Sequence, residues 1–440
     1  MKIKITAIFI FVFLLISFCA CSKEPKNSNQ LTKSSVIKQL VVRYDNTRFG
    51  DIWINKMATD FEKITPNIKI KLVSDNDINS NISKAFTSDN NIPDVAFMTK
   101  TNWQYFVTKG YLSDITDVYQ KPISNQSIEQ SIEQSLLPEI KNFGKLNNAY
   151  YVMPWTSGVS SFIYNVDVFQ KYSLNPPTTT KELLDILPIL KQDGVVPFVW
   201  AGKQKDFWSG IVTGWWAQFE GQSGISQYLS MDNAEQYNQA GRLNALTLFE
   251  SIIKDKTNSF DGSENMTLNG AASAFFEGKA AMMPAYSWTE YKYAKTSFNA
   301  QMMNLPIIDN AATPLSTNFM SGDFICIPSK AKNILLAKAF IEFTSTTKNI
   351  EYFTTETGTP RPFSTVIYDT NLNGFEKSNL DIWKTQNKIF MYSSNPIYYN
   401  NYLDWPYSGD PYMQIFYGDE TAISIIDKNY NYAKEHWNFK

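Results

Sequence analysis

From Gln39 to Gly110 short apolar runs alternate with amphipathic helical stretches. That alternation restricts this part of the chain to a mostly parallel sheet with helices on both faces, because parallel neighbours can be joined only by a long crossover. Gln39–Tyr44 reads as a strand and Asp45–Gly50 as the turn after it. Trp53, Met57, Phe61 and Ile64 then recur at helical spacing until Pro66. Residues 67–72 alternate apolar and polar as a strand does, a helix covers 78–87, and 93–98 is a short apolar strand. The next helix runs from about Trp103 to Lys109 and is closed by Gly110.

A second series of the same kind follows Pro154. It comprises a strand over Ser161–Tyr164, a short helix capped by Asp167, a helix carrying Leu183, Leu184, Leu187 and Leu190, and a strand over Val195–Trp200. Thr179 and Glu182 have the spacing of a capping box, and Pro188 should kink or shorten the helix they start. A largely helical region then reaches Gly278. Two α/β units in one chain predict a cleft between them.

Charge and residue counts narrow the chemistry of that cleft. Lys plus Arg at 40 against Asp plus Glu at 42 leaves a net charge of -2, which removes the electrostatic footprint of a nucleic-acid partner. The single histidine, His436, lies at the end of the last predicted helix, so a Ser-His-Asp or Cys-His nucleophile and a histidine-rich zinc site are excluded. There is no GxGxxG, P-loop or EF-hand pattern, and Asp75-Asn76-Asp77 lacks the glycine and distal glutamate of a calcium loop. No cofactor or metal is expected. Paired-carboxylate hydrolysis stays open, because sequence cannot measure a carboxylate separation.

The first residues read as an export signal. Lys2 and Lys4 precede the apolar run Ala7–Ile16, and Ser17-Phe18-Cys19-Ala20-Cys21 follows at once. Ala20 before Cys21 suits the lipoprotein signal of bacteria, in which cleavage leaves a lipid-bearing N-terminal cysteine. Residues 1–20 are then the signal, and 21–35 a polar tether with nothing to bury. With Cys21 lipidated, only Cys326 remains, inside the apolar run Phe324–Pro328. No intramolecular disulfide can form, and core burial must carry stability.

Aromatic residues are in excess, with Trp 11, Tyr 24 and Phe 30. Several tryptophans follow turn residues or strand ends, among them Trp103, Trp155, Trp200, Trp288 and Trp405. Ligands of open α/β sheets sit at strand ends. An indole laid flat on the C–H face of a sugar ring, beside Asp, Asn and Arg that bond its hydroxyls, suits a neutral carbohydrate.

The order of segments resembles the extracellular solute-binding proteins of the carbohydrate type, the lipoprotein receptors of ABC importers. The resemblance is carried by Ile92-Pro93-Asp94-Val95, Gly110–Thr116, Ala149–Pro154, Phe162–Phe169, Pro176–Leu183, Phe276–Met283 with Ser287-Trp288, Ala337–Phe343 and Glu356–Pro360. It implies a non-catalytic, two-lobed periplasmic-binding-protein-like fold of type II, each lobe a mostly parallel sheet flanked by helices. The chain is expected to cross between lobes near Thr156–Ser161, Met282–Ala285 and Pro328–Lys332. The N-terminal lobe would hold 36–157 and 284–330, and the C-terminal lobe 158–283 and 331–440. Hinge closure would trap the ligand. The expected cleft residues are Asp45, Asn46, Arg48, Asn102, Trp103, Trp155, Trp200, Trp288, Asp323 and Arg361. The expected partners are a carbohydrate, most simply an oligosaccharide, and permease subunits. The protein would be a monomer on the outer face of the membrane, held there by its lipid. The alternatives are a lipid-anchored carbohydrate hydrolase and a glycan-binding surface sensor or adhesin.

Overall fold

The computed structural model describes residues 37–440 apart from 100–102, 124–129, 205, 231–232, 290–297, 315, 321–322, 365–371, 373, 391–410 and 437–440. The export signal, Cys21, the tether and Asn102 therefore lie outside the described residues. Strands β1 (Lys38–Tyr44), β2 (Ile68–Ser74) and β3 (Val95–Met98) are parallel, with β1 between the other two. Helices Ile52–Ile64 and Ile78–Ser88 make the crossovers, burying Trp53, Met57 and Phe61 from the first and Ile78, Ile82 and Phe86 from the second, as their periodicity requires. Helix Trp103–Thr108 ends where Gly110 takes φ +71°, and the Tyr111 amide turns back to donate to the Phe106 carbonyl at 2.8 Å.

After a short hairpin of β4 (Lys145–Leu146) and β5 (Ala149–Tyr150), the remaining strands are β6 (Val152–Pro154), β7 (Gly158–Asn165), β8 (Met282–Tyr286), β9 (Ala300–Met302), β10 (Ser316–Met320), β11 (Phe324–Cys326) and β12 (Asn387–Phe390). The first sheet has the order β2-β1-β3-β11-β6, and the second β12-β10-β7-β8 with β9 also on β7. The second sheet departs from the expected parallel pattern. β8, β9 and β10 all run antiparallel to β7, and only β10 and β12 are parallel. Its strands return beside β7 from the opposite direction, which needs no βαβ crossover.

Three local expectations change. Val195–Trp200 is an extended segment that touches β8 but is no strand, because Pro197 has no amide to continue a ladder. Asn165 caps the helix Val166–Lys171, its side chain accepting from the Val168 amide, and Asp167 sits inside the first turn. Pro188 leaves helix Thr180–Gln192 unbroken, since it lies on the exposed face where the carbonyl it frees can meet water. The capping box of Thr179 and Glu182 is present.

The strand pairings also divide the chain differently from the expected lobes. It passes from the first sheet to the second between Pro154 and Gly158, and back between Met320 and Phe324. Met282–Ala285 stays within the second sheet, paired with β7. Helices Ile334–Thr344 and Thr347–Thr357 follow β11 and remain on the first core, with Phe340 against Phe61 and Phe353 against Trp53 at ring distances of 5.3 and 5.2 Å. Pro328–Lys332 is therefore no crossing, and the chain returns to the second sheet only after Thr357. The crossings lie side by side: the Trp155 amide donates to the Asp323 carbonyl at 2.8 Å, and the Ser157 amide to the Pro360 carbonyl at 2.9 Å.

Cys326 is fully buried in β11, where desolvation pushes its thiol well above the usual range. A thiol reagent at neutral pH should leave Cys326 unlabelled in the native protein and label it fully in denaturant. Peptide mapping that found native labelling would contradict this burial. Among the described residues, no helix is long and apolar enough to cross a membrane.

Candidate ligand-binding site

The register of the first sheet gathers the site. Phe324 pairs with Met98 on one side and with Pro154 on the other, so Asp323, Thr99 and Trp155 stand next to one another just beyond the last paired row. β1 ends at Tyr44 beside β3, and places Asp45 and Arg48 at the same end. This is the carboxyl end of β1 and β3, where the order of strands reverses and where open sheets bind ligands. A recess of about 320 Å³, counted with the solvent at its mouth, is lined there by Asp45, Arg48, Phe49, Trp53, Phe97, Met98, Thr99, Trp155, Asp323 and Phe324.

Arg48 and Asp323 form the polar centre. Arg48 Nη1 donates to Asp323 Oδ1 at 2.5 Å, while Thr156 Oγ1 donates to Asp323 Oδ2 at 2.7 Å. The guanidinium also lies 4.8 Å from the Trp288 ring and 4.9 Å from the Phe49 ring. Trp288, just after β8 of the second sheet, stacks parallel on Tyr286 at 5.8 Å. Arg48 thus joins an aromatic pair of the second sheet to an aspartate that leads into the first. Asp45 accepts from the Thr47 amide and hydroxyl at 2.7 and 2.9 Å, which fixes the turn that carries Arg48.

Trp155 has a different setting from the one expected of a stacking platform. It is only 2 % exposed, boxed by Trp53, Phe97 and Phe353 at ring distances of 5.2, 4.8 and 4.9 Å. The fully buried guanidinium of Arg361 covers it at 3.6 Å, and Arg361 Nη1 donates to the Thr344 carbonyl at 2.9 Å. Arg361 therefore supports Trp155 and does not line the recess.

The structure brings Asp45, Arg48, Trp155 and Asp323 together in the lining, with Trp288 joined to them through Arg48. Asn46 donates to Asp51 at 3.4 Å, alongside the Tyr44 hydroxyl at 2.7 Å, and so belongs to the base of the loop. Burial, and then the Asp51 carboxylate, push the Tyr44 phenol above its usual value and keep it a donor. Trp103 is buried in the first core near Phe143. Trp200 is buried in the second core, with Nε1 donating to Ser259 at 3.0 Å and its ring edge-on to Phe416. Neither reaches the recess. Phe49, Trp53, Phe97 and Met98 line it without having been expected there. Trp53 had a legible signal, since it opens the helix that begins at the carboxyl end of β1.

The family model of the bacterial extracellular solute-binding proteins matches residues 46–351, well over half of the chain. A multiple sugar-binding protein of Streptococcus mutans is 23 % identical over 369 residues, covering 78 % of this chain and 80 % of that protein. Among solved structures, RafE in complex with raffinose is similar with a TM-score of 0.70 at 15 % identity, covering 90 % of this chain and 99 % of the other. An ABC substrate-binding protein from Listeria monocytogenes in complex with cycloalternan also has a TM-score of 0.70 at 15 % identity, covering 92 % of this chain and all, 100 %, of that one. These likenesses show the two-lobed α/β binding-protein fold.

Proposed function

Because the chain belongs to the bacterial extracellular solute-binding proteins, we propose that it captures a sugar or oligosaccharide in this recess and delivers it to the permease of an ABC importer. The observation that carries the reading is the convergence of Asp45, Arg48, Trp155 and Asp323 at one strand end, beside the crossings and linked to Trp288. Carboxylates and a guanidinium bond hydroxyls, while aromatic rings cover the C–H faces of a sugar. The recess takes one end of a ligand, and the rest would extend toward Trp288 and the second sheet. The two sheets form the cores of lobes that close by rotation about the crossings, where Trp155, Asp323, Ser157 and Pro360 are bonded side by side. Sugar ligands of the relatives, raffinose and cycloalternan among them, support a carbohydrate here.

Tryptophan fluorescence titrated with mono- and oligosaccharides, raffinose included, tests the reading. A saturable change with at least one sugar is expected. Saturation by amino acids, peptides or polyamines with none by any sugar would overturn it. We further propose that lipid on Cys21 holds the receptor at the outer face of the membrane, so that the tether raises its concentration beside the permease. The mass of the mature N-terminus decides this, and an unmodified Cys21 would rule the anchor out.

A further inference from the structure

We propose that Asp323 sets the specificity of the recess, by holding Arg48 in an ion pair so that the site accepts an uncharged sugar and rejects one that carries a carboxylate. This deepens the carbohydrate reading of the same site and rests on it. Among the residues that line the recess three ionise, the acids Asp45 and Asp323 and the base Arg48. A guanidinium is a planar fork that matches a carboxylate, so a free arginine in a sugar site would select acidic sugars. Arg48 is not free. Its Nη1 donates to Asp323 Oδ1 at 2.5 Å, in a pair that leaves 24 % of the Arg48 side chain and 7 % of the Asp323 side chain exposed. The fork is engaged by a carboxylate of the protein before any ligand arrives.

Asp323 is also held so that it does not step aside for a competing acid. Thr156 Oγ1 donates to its Oδ2 at 2.7 Å, its backbone carbonyl accepts from the Trp155 amide at 2.8 Å, and the next residue, Phe324, is paired with both neighbouring strands. A ligand carboxylate that took Arg48 would strand the Asp323 charge where little water reaches it, and an unpaired ion there is costly. It would also enter beside Asp45, which is bonded to the Thr47 amide and hydroxyl and to no cation among the described residues. The Phe49 and Trp288 rings, 4.9 and 4.8 Å from the guanidinium, limit the water around the pair, so that repulsion between carboxylates is poorly screened. The Arg361 cation rests on Trp155, bonds the Thr344 carbonyl and is no part of the lining. Sugar hydroxyls meet none of these penalties, because they can donate to the lone pairs the two carboxylates have left. The discrimination thus comes from a repulsive element set against the wrong ligand. A pair that merely braced the Arg48 loop would give no new ligand when Asp323 lost its charge.

Calorimetry with matched sugars tests this: glucose against glucuronate and galactose against galacturonate, which differ at C6 alone, with raffinose as a longer neutral probe. The wild type should bind at least one of the neutral sugars, and each uronate at least tenfold more weakly than the tightest of them. Asp323→Asn, whose amide oxygen can still accept from Thr156, removes the charge and frees the guanidinium. It should gain at least tenfold in affinity for one uronate, and Arg48→Gln added to it should abolish the gain. A wild type that binds a uronate within tenfold of its best neutral sugar overturns this proposal alone. So does a folded Asp323→Asn with no gain for either uronate, or a gain that survives Arg48→Gln. Asp323→Ser, which also removes the charge, replaces the asparagine variant if that one fails to fold, and the wild-type comparison decides if neither folds. No binding of any of the three neutral sugars or the two uronates overturns the proposal together with the raffinose-type carbohydrate reading of the recess.

Discussion

Trp155→Ala should remove measurable sugar binding and lower the unfolding free energy by about 3–5 kcal/mol, the range for deleting a large buried aromatic. Both losses come from one position. The indole fills a box made by Trp53, Phe97 and Phe353, and it is the surface on which the buried Arg361 charge rests. Alanine leaves a cavity beside a cation that has lost the nearer of its two aromatic partners and keeps only Phe363 at 5.3 Å, and such a void is not relieved by small shifts in a close-packed interior. The recess loses its wall at the same time. Denaturant titration and calorimetry with the best-binding sugar read the two effects separately. A variant with full affinity would remove Trp155 from the site. One with wild-type stability would contradict the box.

Arg242→Ala should cost the fold roughly 3 kcal/mol or more, since a desolvated cation–π contact contributes about 2 kcal/mol or more and the alkyl stem adds packing. Its guanidinium lies 4.2 Å from each of the Trp216, Tyr228 and Tyr237 rings, and the residue is almost fully buried in the second core. The contrast with Trp155 is the point of the experiment. Arg242 is no part of the recess, so sugar affinity at a temperature where the variant is folded should stay within about twofold of the wild type, a fraction of the 1.4 kcal/mol that corresponds to tenfold. A large affinity loss without a stability loss would mean that the second core is coupled to the site in a way its packing does not show.

The elements of the first sheet were legible because their signals are local. Strand β1, the helix begun by Trp53, the alternation in β2 and the Gly110 stop each depend on neighbours within a few residues. The failures are equally specific. Val195–Trp200 has the residue types of a strand, yet Pro197 and the edge of β8 decided otherwise. The crossings expected at Met282–Ala285 and Pro328–Lys332 were misplaced, because the pairing of β8 with β7, and the return of two helices to the first core, are contacts between residues more than a hundred positions apart in the first case and more than two hundred in the second.

The site shows the same division. Asp45, Arg48, Trp155 and Asp323 could be named from strand ends, since a residue that flanks a strand in an open sheet, after it as Trp155 does or before it as Asp323 does, stands at its rim. Trp103 and Trp200 satisfied the same rule and are core residues, because the rule says where a side chain starts and not which way it packs. The periodic pattern was enough for the α/β class, and the order of segments for the resemblance to the solute-binding family. Only the register of β11 between β3 and β6 could bring Asp323 to Arg48, and only packing could turn the face of Trp155 to Arg361 and away from a ligand. Periodicity is a property of neighbours along the chain, whereas register and ring orientation are set by side chains that meet after the chain has folded.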